Sequence, residues 1–130
     1  MVDDALSRIL YVEDDADIRS VATFALETLG GFTVAGFDSG DLAIAAAASA
    51  QPQLLLLDVM MPGMDGPTTL TGLRAIPALR QVPAIFMTAK VQPQEITRYL
   101  AMGALDVIAK PFDPMALSDM VRAIWARRPR

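Results

Sequence analysis

Five apolar runs of five or six residues alternate along this chain with five segments of helical periodicity. The runs are RILYV (8–12), FTVAGF (32–37), QLLLLD (53–58), PAIFM (83–87) and ALDVIA (104–109). Each reads as a strand, and RILYV and the four leucines of QLLLLD read as buried ones, because a short continuous apolar run bounded by turn residues suits a strand covered on both faces. Between the first two, Ile18, Val21, Ala22, Ala25, Leu26 and Leu29 keep i, i+3, i+4, i+7 spacing from Asp15 until Gly30-Gly31 ends the segment. Asp38 or Ser39 can cap an Ala-rich helix that stops near Gln51-Pro52. A third helix starts near Gly66-Pro67, with Pro67 suited to its first turn; Thr68, Thr69, Thr71 and Gly72 predict that it is short or pliable. Pro93 opens a fourth, with Ile96, Tyr99 and Leu100 on one face, and Asp113-Pro114 caps a fifth carrying Leu117, Met120, Val121 and Ile124.

Strict alternation of this kind predicts an α/β fold: a five-stranded parallel sheet, doubly wound (flavodoxin-like) with strand order 2-1-3-4-5 and five helices. At 130 residues, 53% hydrophobic and 20% charged, the chain suits one compact soluble domain over 1–130. Cysteine and histidine are both absent, which excludes disulfides, thiolate or imidazole metal sites, histidine bases and phosphohistidine. The net charge of −4 argues against nucleic acid as a partner, and the single basic cluster is the tail ARRPR (126–130). That tail reads as a natural end or as the start of a linker. No apolar run approaches the ~20 residues needed to span a membrane. The acidic start MVDDALSR lacks signal-peptide features, so a cytoplasmic location is expected.

In such a sheet, ligands bind beyond the carboxyl ends of the strands, where strand order reverses. The first strand runs into Glu13, Asp14 and Asp15; the third ends at Asp58, which should sit at the mouth of the sheet. Adjacent strands lie about 4.8 Å apart, so these acids should share one pocket. Clustered carboxylates repel, and oxygen-only ligands suit Mg²⁺. The triplet 13–15 also fits a plain acidic helix start, which accounts for Asp15 but not for Asp58. The fourth and fifth strands lead into Thr88 and Lys110. Lysine occurs only twice, at Lys90 and Lys110, and both follow strand ends.

A carboxylate, a divalent cation, a hydroxyl and an ammonium in one pocket suit phosphoryl transfer, which is mostly positioning and charge neutralisation. Asp58 is the candidate nucleophile, becoming an acyl phosphate. Asp14, Asp58 and the Met60 carbonyl are the candidate Mg²⁺ ligands, with Glu13 acting mainly through water. Lys110 and the Thr88 hydroxyl would each take a phosphoryl oxygen.

Four stretches, ILYVEDDADIR, LLLLDVMMPGMDG, IFMTAK and VIAKPF, together resemble the receiver domain of two-component response regulators from about Arg8 to Ala126. Asp14 to Asp58 spans 44 residues, Thr88 follows 30 later and Lys110 a further 22. The resemblance implies that Asp58 accepts phosphate from the phosphohistidine of a sensor histidine kinase or histidine phosphotransfer protein. It implies that Glu13 and Asp14 are metal-site acids, that Thr88 and Lys110 are the switch hydroxyl and phosphate-binding lysine, and that the peptide before Pro111 is cis. Catalysis is then limited to the domain's own phosphorylation and dephosphorylation. Val107 stands where the family usually has a swinging aromatic ring, and valine is stiff at χ1.

The expected output is a change in protein–protein interactions, including a phosphorylation-dependent homodimer. Trp125 either caps the core or contacts a partner. Met60, Met61 and Met64 either shape the loop after Asp58 or help a partner dock. Three rivals fit less well. An aspartyl-phosphate phosphatase generally wants a second Asp two residues after the nucleophile, where Met60 stands. A nucleotide or flavin module wants a Gly/Ser/Thr-rich phosphate loop, where VEDDAD repels phosphate. An inert scaffold would not need all four positions filled.

Overall fold

The computed structural model describes residues 5–129. The acidic start at 1–4, the last tail residue Arg130, and with them the outer limits of the 1–130 domain, lie outside the described residues. Five parallel strands form one sheet: β1 (Arg8–Val12), β2 (Thr33–Phe37), β3 (Leu54–Asp58), β4 (Ala84–Thr88) and β5 (Asp106–Ala109). Their order is β2-β1-β3-β4-β5. The helices are α1 (Ala16–Phe24), α2 (Gly40–Ala50), α3 (Gly66–Arg74), α4 (Pro93–Ala101) and α5 (Leu117–Ala126). The predicted alternation and strand order are those observed. Among the described residues, no helix is long and apolar enough to cross a membrane.

Two apolar layers sandwich the sheet, because successive strand residues point to opposite faces. Leu10, Leu55, Leu57, Phe86 and Tyr99 pack on one side with residues of α2 and α3. Ile9, Tyr11, Leu54, Leu56, Ile85 and Met87 pack on the other with α1 and α5. β3 and β4 are buried along their whole length, which the unbroken runs LLLLD and AIFMT make possible.

Side-chain caps start α1, α2 and α3, whereas α4 follows Gln92 with no side-chain cap. Asp15 accepts from the amides of Asp17 and Ile18, Ser39 from Leu42, and Asp65 from Thr68. Asp113 does not cap α5. Its carboxylate accepts from the Met115 amide at 2.9 Å and closes a turn, so α5 begins at Leu117 without a side-chain cap. Leu100 also departs from expectation: it faces solvent, while Tyr99 is buried and meets Phe86 edge-on with centroids 5.8 Å apart.

The first helix does not stay α-helical to Gly30. Ala25–Leu29 widen into a π turn. Ser118 in α5 donates to the Ala25 carbonyl at 3.0 Å, and the Gly30 amide donates to the same oxygen at 3.0 Å. A Cβ at Gly30 would collide with the Ser118 hydroxyl, so α5 packs directly on this widened turn. Trp125 lies half-buried at the edge of the α1/α5 layer, under the Arg128 guanidinium at 3.7 Å from its ring centroid.

Candidate functional site

The carboxyl ends of β1, β3, β4 and β5 meet at one edge of the sheet. Val12 in β1 pairs with Leu57 in β3, so Glu13 and Asp58 follow side by side. Asp58 in turn pairs with Met87 in β4, and Thr88 with Ala109 in β5. Carboxylate oxygens of Glu13, Asp14 and Asp58 all lie within 4.8 Å of one another.

Asp58 is the last residue of β3, as expected, but it is not open to solvent: it is 3% exposed and Glu13 is 1% exposed, while Asp14 is exposed. Lys110 makes this burial tolerable. Its Nζ lies 2.8 Å from Glu13 Oε1 and 3.1 Å from Asp58 Oδ1. Buried carboxylates persist when paired and hydrogen-bonded. Glu13 is thus an ion-pair partner of Lys110 in this structure, a role that the expected water-mediated metal contact did not include.

The electrostatics follow from this geometry. Burial, then the neighbouring Glu13 charge, pushes the Asp58 carboxyl up to about 7, while the hydrogen bond and charge of Lys110 pull the other way. Burial pulls the Lys110 ammonium down, but its hydrogen bonds to Glu13 and Asp58 and their charges outweigh that and hold it above the ordinary lysine value.

Thr88 closes β4 beside these groups and is buried, but it bonds to none of them. Its hydroxyl oxygen accepts from the Lys90 amide at 3.0 Å. The Met60 side chain is exposed, whereas Met61 is buried and Met64 packs toward Gly40. Gly66 brings the start of α3 against β3: a Cβ there would lie 2.5 Å from the Asp58 carbonyl oxygen. The Lys110–Pro111 peptide is cis. Val107 is half-buried against the α2/α3 layer.

Two residues absent from the sequence reading contribute here. Arg19 donates from a guanidinium nitrogen to the Glu13 carbonyl at 2.6 Å, tying α1 to the β1 end. Nothing in a spacing of six residues signals a bond to a backbone oxygen. Tyr11, two residues before Glu13, read only as an apolar strand residue, yet its hydroxyl is buried. Beside the site a groove of about 480 Å³ is lined by Ile18, Val21, Lys110, Pro111 and Phe112, among others.

The charged edge therefore gathers three carboxylates, one exposed and two buried, around a fixed ammonium. The chain is 36% identical over 120 residues to the phosphate regulon transcriptional regulatory protein PhoB of Escherichia coli, covering 92% of this chain and 52% of that protein. It is 38% identical over 122 residues to the DNA-binding response regulator MtrA of Mycobacterium tuberculosis, covering 94% and 52%. The chain thus spans about half the length of the curated relatives it matches. Among solved structures, the chemotaxis protein CheY4 of Vibrio cholerae superposes with a TM-score of 0.84 at 27% identity, covering 92% of this chain and 99% of that one. A response regulator from Chloroflexus aurantiacus gives 0.82 at 30% identity, covering 94% and 99%. Residues 9–122 match the response regulator receiver domain, and the chain belongs to that family of two-component signalling domains.

Proposed function

We propose that this domain is a phosphorylation switch in which Asp58 accepts a phosphoryl group from the phosphohistidine of a partner kinase or phosphotransfer protein. The observation that carries this reading is the Lys110 ammonium bridging two buried carboxylates, Glu13 and Asp58, at the strand ends. A pocket built so has the charge and the nucleophile for phosphoryl transfer, and no histidine or cysteine competes for the chemistry.

In the transfer, an Asp58 oxygen bonds to phosphorus while the P–N bond to the donor imidazole breaks and its electron pair leaves with the nitrogen. Lys110 follows the negative charge from the carboxylate to a phosphoryl oxygen. Thr88 turns its hydroxyl from the Lys90 amide toward a second oxygen. The donor set fits Mg²⁺, since three carboxylate oxygens lie within 4.8 Å of one another and the sequence has neither histidine nor cysteine. Asp14, Asp58 and the Met60 carbonyl would hold the ion, with Glu13 reaching it mainly through water. Once bound, the ion neutralises charge shared between the carboxylates and the phosphoryl oxygens.

The groove beside Lys110 is apolar and adjoins the acceptor, so a donor protein reaching Asp58 would cover it. The signal then leaves as a changed protein surface, read by a target protein or by a second copy of the domain in a phosphorylation-dependent dimer. The relatives named for transcription or DNA binding are twice as long as the match, and their output is not carried over to this chain. Hydrolysis of the acyl phosphate on the domain itself resets the switch, and no external substrate is turned over. Cytoplasmic placement follows from this reading, since the donor kinase phosphorylates there.

Intact mass after incubation with Mg²⁺ and a small phosphoryl donor tests the reading. We expect one phosphoryl adduct, absent in Asp58→Asn and removed by hydroxylamine. An unmodified wild-type chain with a competent donor would overturn it.

A further inference from the structure

Tyr11 is wholly buried in β1, and its hydroxyl has no hydrogen-bond partner among the described residues. A buried, unpaired hydroxyl destabilises the fold, and phenylalanine would fill the same space without it. The oxygen therefore calls for an explanation in some other state of the molecule.

Its position supplies one. Tyr11 pairs with Leu56 in β3. Two residues further along the same strands, on the same face, stand Glu13 and Asp58. The phenol hydroxyl is a proton donor on the face of the sheet that carries both carboxylates. In this structure Lys110 satisfies those carboxylates, at 2.8 and 3.1 Å. Glu13 Oε2 takes the Asp15 amide at 3.2 Å.

We infer that Tyr11 is a positioning residue for the phosphorylated state: when Lys110 turns to a phosphoryl group on Asp58, the Tyr11 hydroxyl donates to the Glu13 carboxylate that Lys110 has left. This rests on the reading of Asp58 as the acceptor. The unpaired oxygen is then a cost of the resting state that disappears in the active one, and it biases the equilibrium between them.

Tyr11→Phe tests this, because it removes one atom and keeps the ring. Beryllofluoride with Mg²⁺ serves as a reversible stand-in for the phosphoryl group. In metal-free buffer the variant should melt at the wild-type temperature or higher. Its affinity for beryllofluoride should fall about tenfold, the effect of losing one hydrogen bond to a charged group. In the wild type, the tyrosine ¹³Cζ resonance that vanishes in the variant should shift when both reagents are added. Wild-type affinity in the variant, with that resonance unmoved, would overturn the inference. A lower metal-free melting temperature would also overturn it, since the hydroxyl would then be bonded at rest. If instead the wild type itself neither binds beryllofluoride nor takes a phosphoryl group, the assignment of Asp58 falls, and the inference with it.

Discussion

Lys110 Nζ lies 3.1 Å from Asp58 Oδ1, across 52 residues of sequence, and holds in place a carboxylate that is otherwise shut away from water. The same ammonium reaches Glu13 at 2.8 Å. One cation thus satisfies two acids that would repel each other without it.

Lys110→Met tests the contact by leaving Glu13 and Asp58 face to face. Removing one partner of a buried ion pair costs about 3 kcal/mol or more. The loss should grow as pH rises and the buried Asp58 carboxyl gives up its proton with no ammonium beside it, and should shrink in acid. Urea denaturation at pH 5 and pH 8 in chelator reads it. Equal losses at both values would contradict the proposed repulsion. Phosphoryl uptake from a small donor should fall at least about tenfold.

The pH dependence of stability has a definite sign at Asp58. Its carboxyl is raised from 3.8 to about 7 in the folded chain. The folded state therefore keeps a proton that the unfolded chain releases, and the contribution of this group to stability falls as pH rises from about 4 to about 7, then levels off. Comparing wild type with Asp58→Asn isolates the group. In chelator, the variant should gain on the wild type across that window and hold its advantage above it. Mg²⁺ requires the ionised carboxylate, so its affinity for the wild type should strengthen over the same range.

Gly66→Ala places a methyl group 2.5 Å from the Asp58 carbonyl oxygen, where backbone rather than a flexible side chain must yield. Overpacking of this kind costs about 1–3 kcal/mol. Because the strained contact is with Asp58 itself, Mg²⁺ affinity should fall along with the melting temperature. Calorimetric titration separates the two effects, and a variant with lowered stability but unaltered Mg²⁺ binding would place the strain elsewhere.

Asp15 provides the contrast within the acidic triplet. Its carboxylate accepts two α1 amides, at 2.9 and 3.0 Å. Asp15→Ala should cost about 1 kcal/mol in chemical denaturation, the usual worth of a helix cap. Phosphoryl uptake, scored by intact mass, should remain. Loss of uptake in a folded variant would move Asp15 from cap to site.

Much of this was legible in the residues themselves. The unbroken leucine run announced a strand covered on both faces, PAIFM announced another strand, and the Asp38-Ser39 and Gly66-Pro67 pairs announced helix starts, of which Ser39 makes the cap. Period and capping are local properties, so a local reading finds them. The misplaced start of α5 has an equally local cause: Asp113 can satisfy a turn amide as readily as a helix amide, and here it bonds Met115. The exposure of Leu100 and the π turn at Ala25–Leu29 were not legible, because each depends on what packs against it. Ser118 meets Ala25 across 93 positions of chain.

By itself, then, the sequence determined the alternation of strands and helices, the strand order, and which acids, hydroxyl and lysine would arrive at one edge of the sheet. Those follow from hydrophobic period and from the chirality of parallel crossovers, which leave few topologies open. Only the tertiary structure decided that Asp58 and Glu13 are buried, that Lys110 spans both, that Thr88 faces its own loop, and that the Tyr11 hydroxyl finds no partner among the described residues. Desolvation and pairing depend on neighbours remote in sequence, and no residue's type states which of its possible partners the packed chain will bring within 3 Å.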